Sequence, residues 1–362
     1  MRSDLVNDQA PPSAPPQSPY TSNVSLAQIA DHLRAASNVA ILTHAKPDGD
    51  ALGSTLALAR TLTRIDIRAT PVYVSPFPQR LKPLVGDTSV IYEQPGTWTS
   101  QPLTEFDTAC VLDTGSWKQV SGATTWLSSR ADSTIIIDHH AHGDPDMAAA
   151  RYIDPKAAAA AQIVADLCIM LLDVDSARHL PAQIAEALYL GITTDTGWFR
   201  YSNTTPDAMR LAADLVDAGA DQQRIYRIIE QSDSPNRLRL IQRALNSLQL
   251  LAHDTIAVMT ITRTDINDCS ASNDELGGLS DLPQSVATVR AVAVITELEP
   301  NLTKVSLRSK PDNAVHTHID VNQVAQSLGG GGHVHAAGAR LDLPLTAAKK
   351  RIIDALTRAV SV

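Results

Sequence analysis

The chain has 362 residues, 44% of them apolar and 19% charged, the make-up of a globular protein with ample core in one large or two medium domains. A net charge of −9 argues against a protein that coats long duplex nucleic acid through a basic face, and no apolar run approaches the ~20 residues of a membrane span. The first residues lack the apolar segment of a secretory signal, and Cys110, Cys168 and Cys269 stand far apart; unpaired thiols and a cytoplasmic location are expected.

Five prolines precede Tyr20 (Pro11, Pro12, Pro15, Pro16 and Pro19), with Ser, Gln and Asn between them. That composition predicts a disordered tail over 1–22. Ser25 is placed to cap a helix over 26–36. Val39-Ala-Ile-Leu-Thr43 then reads as a buried strand, followed by His44-Ala-Lys-Pro-Asp48-Gly-Asp50 and a helix from Ala51. Pro47 and Gly49 bend the turn so that Asp48 and Asp50 can converge with His44. The plainer reading is a polar turn in which Asp50 caps the helix.

A second strand is expected at 68–74. A third, Thr108-Ala-Cys-Val-Leu, breaks off at Asp113-Thr-Gly115, and a fourth, Ser133-Thr-Ile-Ile-Ile, breaks off at Asp138-His139-His140. Buried parallel strands ordinarily end in turn residues, so three that end in acids and imidazoles call for a reason. An alanine-rich helix follows over 156–172, then one from Pro181 to about Gly191, then a polar loop to Pro206 centred on Asp195. Helices at about 206–218 and 221–231 lead to an amphipathic segment, 235–251, that reads as a helical linker between domains. Beyond it the pattern is β-rich, at 255–262, 288–298 and 302–308, and the chain finishes with Gly329-Gly-Gly-Gly-His333, a strand near 339–343 and a helix from Thr346.

If His44, Asp48, Asp50, Asp113, Asp138, His139, His140 and Asp195 share one sheet edge, several carboxylates lie close together with only Lys46 among them. Such crowding costs stability unless cations offset it. Oxygen with imidazole nitrogen suits Mn²⁺, and Mg²⁺ less well. There are ligands enough for two metals about 3.5–4 Å apart, an arrangement that lowers the pKa of water for attack on a phosphoester. Near the C-terminus, glycine amides can approach an anion closely, and Arg308 can fork onto a phosphate as Lys cannot. His333 ends the glycine run, and Arg200 is a weaker phosphate candidate.

His44-x-x-x-Asp48-Gly-Asp50, Asp113, Asp138-His139-His140 and Asp195 in Thr-Thr-Asp-Thr-Gly together resemble the DHH phosphoesterases. Gly329-Gly-Gly-Gly-His333-x-x-Ala-Ala-Gly338, preceded by Arg308-Ser309, is similar to their associated C-terminal domain. The resemblance runs from about residue 24 to the end. It implies an α/β fold: a catalytic domain over 23–234 with a mostly parallel Rossmann-like sheet flanked by helices, the linker, and a smaller α/β substrate domain over 252–362. It further implies one metal on His44, Asp48 and Asp113 and a second on Asp50, Asp113, His139 and Asp195, with Mn²⁺ expected and Mg²⁺ or Co²⁺ as alternatives. Asp138 would orient His139, and His140 would face the scissile phosphate as a hydrogen-bond or proton donor. Arg308, Ser309, Gly330, Gly331, Gly332 and His333 would hold substrate. The run Ala157–Ala161 departs from the family, which carries a small polar residue at that helix start. Among its members the chain looks most like the NrnA-type enzymes, which degrade very short RNA and dephosphorylate 3′-phosphoadenosine 5′-phosphate. Phosphodiesterases of cyclic or linear dinucleotides share every catalytic residue and form the alternative. The partner is then a short RNA or a small phosphorylated nucleotide, with a homodimer as the open oligomeric option.

Overall fold

Strands of three to seven residues build a first sheet: β1 (Asn38–Leu42), β2 (Arg68–Val74), β3 (Ile91–Glu93), β4 (Thr108–Leu112), β5 (Thr134–Asp138) and β6 (Ala150–Ile153), with β3 the shortest. The computed structural model describes residues 19–74, 77–93, 103, 105–311 and 318–360; the expected tail lies outside these as far as residue 18. The strand order is β3-β2-β1-β4-β5-β6 and every pairing is parallel. All residues of β1 and β5 are buried, because helices and turns cover both faces of the sheet, the usual condition of a parallel sheet. Ile41, Cys110, Leu112 and Ile137 face one core, while Val72, Val111 and Ile136 face the other with Phe106, Trp126 and Leu127.

On the first face lie the helices Leu26–Ala35, Gly49–Arg64, Ala160–Leu172 and Ala182–Asp195. Ser25 closes a capping box with Gln28 at the start of the first. The second and fourth approach so closely that a Cβ on Gly53 would stand 2.3 Å from the Ala187 carbonyl oxygen. The same closeness explains why the fourth helix runs on to Asp195, when Gly191 was expected to end it. Gly191 serves contact, since a Cβ there would meet Ala161 Cβ at 2.4 Å and Asp50 Oδ1 at 2.7 Å. Strand order reverses between β1 and β4, and the carboxyl ends on either side of such a switch form the binding crevice of open α/β sheets.

The chain divides into two compact units, 1–232 and 233–362. The second carries a mixed sheet of β7 (Gln249–Leu251), β8 (Ile256–Ile261), β9 (Ala291–Glu299), β10 (Leu302–Ser309), β11 (Gly331–His333) and β12 (Ala336–Leu341), in the order β11-β12-β10-β9-β8-β7. Helices Val321–Ser327 and Leu345–Val360 pack on one face and Pro235–Asn246 on the other. One expectation needs correction. The segment read as a helical linker over 235–251 belongs to this unit: its helix buries Leu240 and Ala244 against Met259, Ile261 and Val292, and 249–251 is strand. The glycine run, taken above only for amides that approach an anion, ends in an edge strand, because side-chain-free residues let β11 lie against β12; a Cβ at Gly330 would meet the Gly338 oxygen at 2.1 Å.

Candidate metal centre

Four strand-to-turn or helix-end segments deliver the expected acids and imidazoles to one place. Asp48 caps the Gly49–Arg64 helix, its Oδ1 accepting from the amides of Asp50 (3.0 Å) and Ala51 (3.1 Å); the capping role considered for Asp50 is therefore Asp48's. Asp50 instead reaches another helix. Its Oδ2 accepts from Ala160 N at 2.6 Å and its Oδ1 from Ala161 N at 2.9 Å and Ser54 Oγ at 3.2 Å. The alanines of 157–161 supply no side-chain cap to the Ala160–Leu172 helix, and the Asp50 carboxylate fills that place from afar, where a helix N-terminus welcomes negative charge.

Asp113 leaves β4 at φ 62°, a left-handed conformation that ordinary residues rarely hold without a compensating role. It is buried, and its two oxygens point to different histidines: Oδ2 lies 3.4 Å from His44 Nε2 and Oδ1 lies 3.3 Å from His139 Nε2. His44 Nε2 is also 3.9 Å from Asp48, and His139 Nε2 is 3.9 Å from Asp195 and 4.0 Å from Asp50. His44, Asp48 and Asp113 thus form one cluster and Asp50, His139 and Asp195 another, each with ligand atoms within 4.8 Å of one another.

Both imidazoles are held for ligation. Nδ1 of His44 meets the Ala45 carbonyl at 3.1 Å, and Nδ1 of His139 meets the Ala157 carbonyl at 3.4 Å. A carbonyl only accepts, so each Nδ1 donates, and each Nε2 faces the carboxylates as a donor in the imidazolium and as a ligand atom in the neutral ring. Asp195 is steadied by Asn203, whose amide nitrogen lies 3.1 Å from its carbonyl, 3.2 Å from its carboxylate and 2.9 Å from the Ala158 carbonyl.

The electrostatics are those of a cation site. Burial pushes the Asp195 carboxyl up to about 6, with the Asp113 charge adding to it against the pull of His139. Burial, then Asp113 and Asp195, raise Asp50 as well. Burial alone would lower the imidazoles, but hydrogen bonds to Asp113 and, for His44, Asp48 outweigh it and lift His44 to about 11; Asp113, Asp50 and Asp195 lift His139 to about 10. The donor set, carboxylate oxygen with imidazole nitrogen in two overlapping groups, fits divalent metal.

His140 adjoins this ligand pair: its Nδ1 lies 3.8 Å from Asp113 Oδ1, and Asp113, His139 and His140 form a third group that could hold a metal. The expectation that Asp138 orients His139 is replaced by a contact with His140: Asp138 Oδ1 accepts from His140 Nδ1 at 2.7 Å and from His140 N at 3.1 Å. That bond raises the His140 pKa and leaves Nε2 as the ring nitrogen that Asp138 does not engage. Sequence reasoning passed over Tyr20, which the tail assignment had absorbed. Its phenol donates to Asp138 Oδ2 at 2.7 Å. Asn203 was missed too, and the Thr194-Asp-Thr turn holds no signal that would have pointed to it.

In the second unit, Arg308 projects from the less buried side of β10, where residues alternate, and its Nη1 donates to the Leu307 carbonyl at 3.1 Å. Ser309 is buried and bonded to His335 Nδ1 (3.1 Å) and the Val334 carbonyl (3.4 Å), so its hydroxyl is already engaged. Gly331, Gly332 and His333 are exposed on β11, with Gly330 beside them. Arg200 is exposed and its Nε donates to the Gly197 carbonyl at 2.7 Å within its own turn. The three cysteines are free and buried, and burial pushes the Cys110 and Cys168 thiols up to about 12, which makes them poor nucleophiles.

Residues 38–192 match the model of the DHH family N-terminal domain, and residues 253–361 match the DHHA1 domain. The bifunctional oligoribonuclease and PAP phosphatase NrnA of Thermus thermophilus is 32% identical over 91% of this chain and 94% of its own. The cyclic-di-AMP phosphodiesterase PdeA of Listeria monocytogenes is 27% identical over 88% of this chain and 47% of its own. An exopolyphosphatase-related protein from Bacteroides fragilis shares the fold, with a TM-score of 0.81 at 24% identity over 92% of this chain and 95% of that one. The order of ligands along the chain, the reversal point in the parallel sheet and these matches lead to one statement: the chain belongs to the DHH family, with an N-terminal DHH domain followed by a DHHA1 domain.

Proposed function

We propose that this protein is a two-metal phosphoesterase that hydrolyses short oligoribonucleotides to mononucleotides and 3′-phosphoadenosine 5′-phosphate to AMP. The observation that carries this reading is Asp113, whose two oxygens face His44 and His139 from a buried position between two ligand clusters. The likeness to the Thermus NrnA over nearly the whole of both chains supports the choice of substrate.

In this reading His44, Asp48 and Asp113 hold one divalent cation, and Asp50, Asp113, His139 and Asp195 hold the other, with Mn²⁺ the metal that the mixed oxygen and nitrogen donors favour. When bound, the pair supplies an acidified water and neutralises charge on the phosphate. The chain's own groups do the rest. Asp113 keeps the two ligand sets in register. His140, protonated more readily than a free imidazole because Asp138 holds its Nδ1, gives the Nε2 proton to the departing ester oxygen. Arg308, with the exposed Gly331, Gly332 and His333, takes a second phosphate of the substrate.

The test is a turnover panel in Mn²⁺: 3′-phosphoadenosine 5′-phosphate, RNA of two to five nucleotides, cyclic dinucleotides and pyrophosphate, with Asp113→Ala as the control. Release from the first two substrates, lost in the variant and in chelator, is the expected result. Preferential cleavage of cyclic dinucleotides would instead favour the reading that the similarity to PdeA supports. No release from any of them would end both.

A further inference from the structure

Asp138 is a completely buried carboxylate. One oxygen is taken twice by His140, through the ring and the backbone amide, and the other receives the phenol of Tyr20 at 2.7 Å across 118 residues of chain. A buried carboxylate oxygen left without its donor costs far more than an ordinary hydrogen bond returns.

The phenol has a slot made for it. Two strand-end turns of the site contribute glycines, Gly115 after Asp113 and Gly143 after His140. A Cβ on Gly115 would lie 1.9 Å from the Tyr20 hydroxyl oxygen, and one on Gly143 would lie 2.5 Å from the ring. The approach of the chain is fixed as well. Ser22 and Asn23 zip onto the free edge of β6, with Ser22 Oγ donating to the Ile153 carbonyl (2.9 Å) and accepting from Ile153 N (2.7 Å). Asn23 exchanges bonds with Arg151 and Ala149. That pairing covers an edge that would otherwise be open and aims residue 20 at the strand ends.

We infer that Tyr20 is a positioning residue for the reaction: by donating to Asp138 Oδ2 it locks the carboxylate so that Oδ1 holds His140 Nδ1 and directs the opposite ring nitrogen at the substrate. The inference rests on the proposed role of His140, and it makes the N-terminal segment part of the active site. Tyr20→Phe keeps the ring in its slot and removes only the hydroxyl.

In the full chain, the Phe variant is expected to lose about tenfold in kcat with KM held within about twofold, the scale typical of groups that orient a catalytic side chain. Its melting temperature should fall too, because Asp138 Oδ2 loses its donor, so kcat is measured well below that temperature, where the variant is fully folded. Gly143→Ala, which retains the hydroxyl but crowds the ring, should reproduce the kcat loss. A second readout needs no turnover. In metal-free protein, the His140 Nδ1 proton seen by ¹⁵N-histidine NMR should exchange about tenfold faster in Tyr20→Phe than in wild type, as the loss of one supporting hydrogen bond implies. Unchanged kcat and unchanged exchange in Tyr20→Phe, with stability lost only in Tyr20→Ala, would reduce Tyr20 to a packing residue and overturn the inference. Wild-type protein inert on every phosphoester would sink the proposed function, and the exchange measurement would still decide about Tyr20.

Discussion

Replacing Asp195 by Asn should make the metal-free protein more stable while destroying its activity. Burial and the neighbouring Asp113 charge raise the Asp195 carboxyl from an ordinary 3.8 to about 6, a figure that already includes the opposing pull of His139. That rise corresponds to about 3 kcal/mol of preference for the neutral acid, and the 28% exposure of the side chain trims it to about 2 kcal/mol. The sign follows from linkage: the unfolded chain ionises near 3.8, whereas the folded protein resists until about 6. Stability therefore falls across that window and stays lower above it. Asn carries no such penalty and still accepts from Asn203. At pH 8 in chelator the variant should melt about 4–8 °C above wild type for a unit of this size, and near pH 4 the difference should vanish. The assay is tryptophan fluorescence, because all four tryptophans (Trp98, Trp117, Trp126 and Trp198) lie in the first unit. Adding Mn²⁺ should reverse the order, lifting wild type well above the variant. An Asn variant that melts at or below wild type in chelator at pH 8 would refute the claim that crowded carboxylates destabilise the empty site.

Metal binding should expel protons, since His44 and His139, raised to about 11 and about 10, are imidazolium ions at pH 7.5 and must become neutral to ligate; calorimetry in buffers of different ionisation enthalpy should count about two per site pair. Gly53→Ala should cost about 1–3 kcal/mol or more, because its Cβ would collide with the backbone at Ala187 and Gly191, measurable as a lowered urea midpoint. Arg308→Lys should raise KM for 3′-phosphoadenosine 5′-phosphate about tenfold with kcat nearly unchanged, as expected when a forked phosphate contact becomes a single one; a fall in kcat alone would show that Arg308 acts elsewhere.

The clustering of the candidate metal ligands was legible because strand ends are informative places. A run such as Thr134–Ile137 has no need of Asp138-His139-His140 for packing, so those residues announce chemistry. The central strands were legible for the related reason that burial on both faces demands unbroken apolar runs. What escaped were contacts whose partners lie far off in the chain. Nothing in Pro19-Tyr20-Thr21 reveals a carboxylate at 138, and a proline-rich composition argued for disorder instead. The Asp50 bond to the 160–172 helix was hidden behind a nearer explanation, the helix that starts beside it. The glycine run gave no strand signal because alternation is written in side chains, and Gly331 and Gly332 have none. Edge strands such as β6, where Arg151 and Tyr152 sit half-buried, carry too mixed a pattern to be read.

The Asp50 contacts carry a consequence for how this site can vary. The carboxylate that would grip a cation is the same one that terminates a neighbouring helix, and no local residue stands ready to relieve it. A substitution there subtracts a ligand and unravels scaffolding at once, so Asp50→Ala would report on architecture as much as on chemistry. His44 can change without that second injury, whereas Asp48, which caps the Gly49–Arg64 helix, shares it. A lineage drifting away from metal use should therefore part with His44 early and with Asp48 and Asp50 last, leaving two helix-capping acids as a vestige of lost activity.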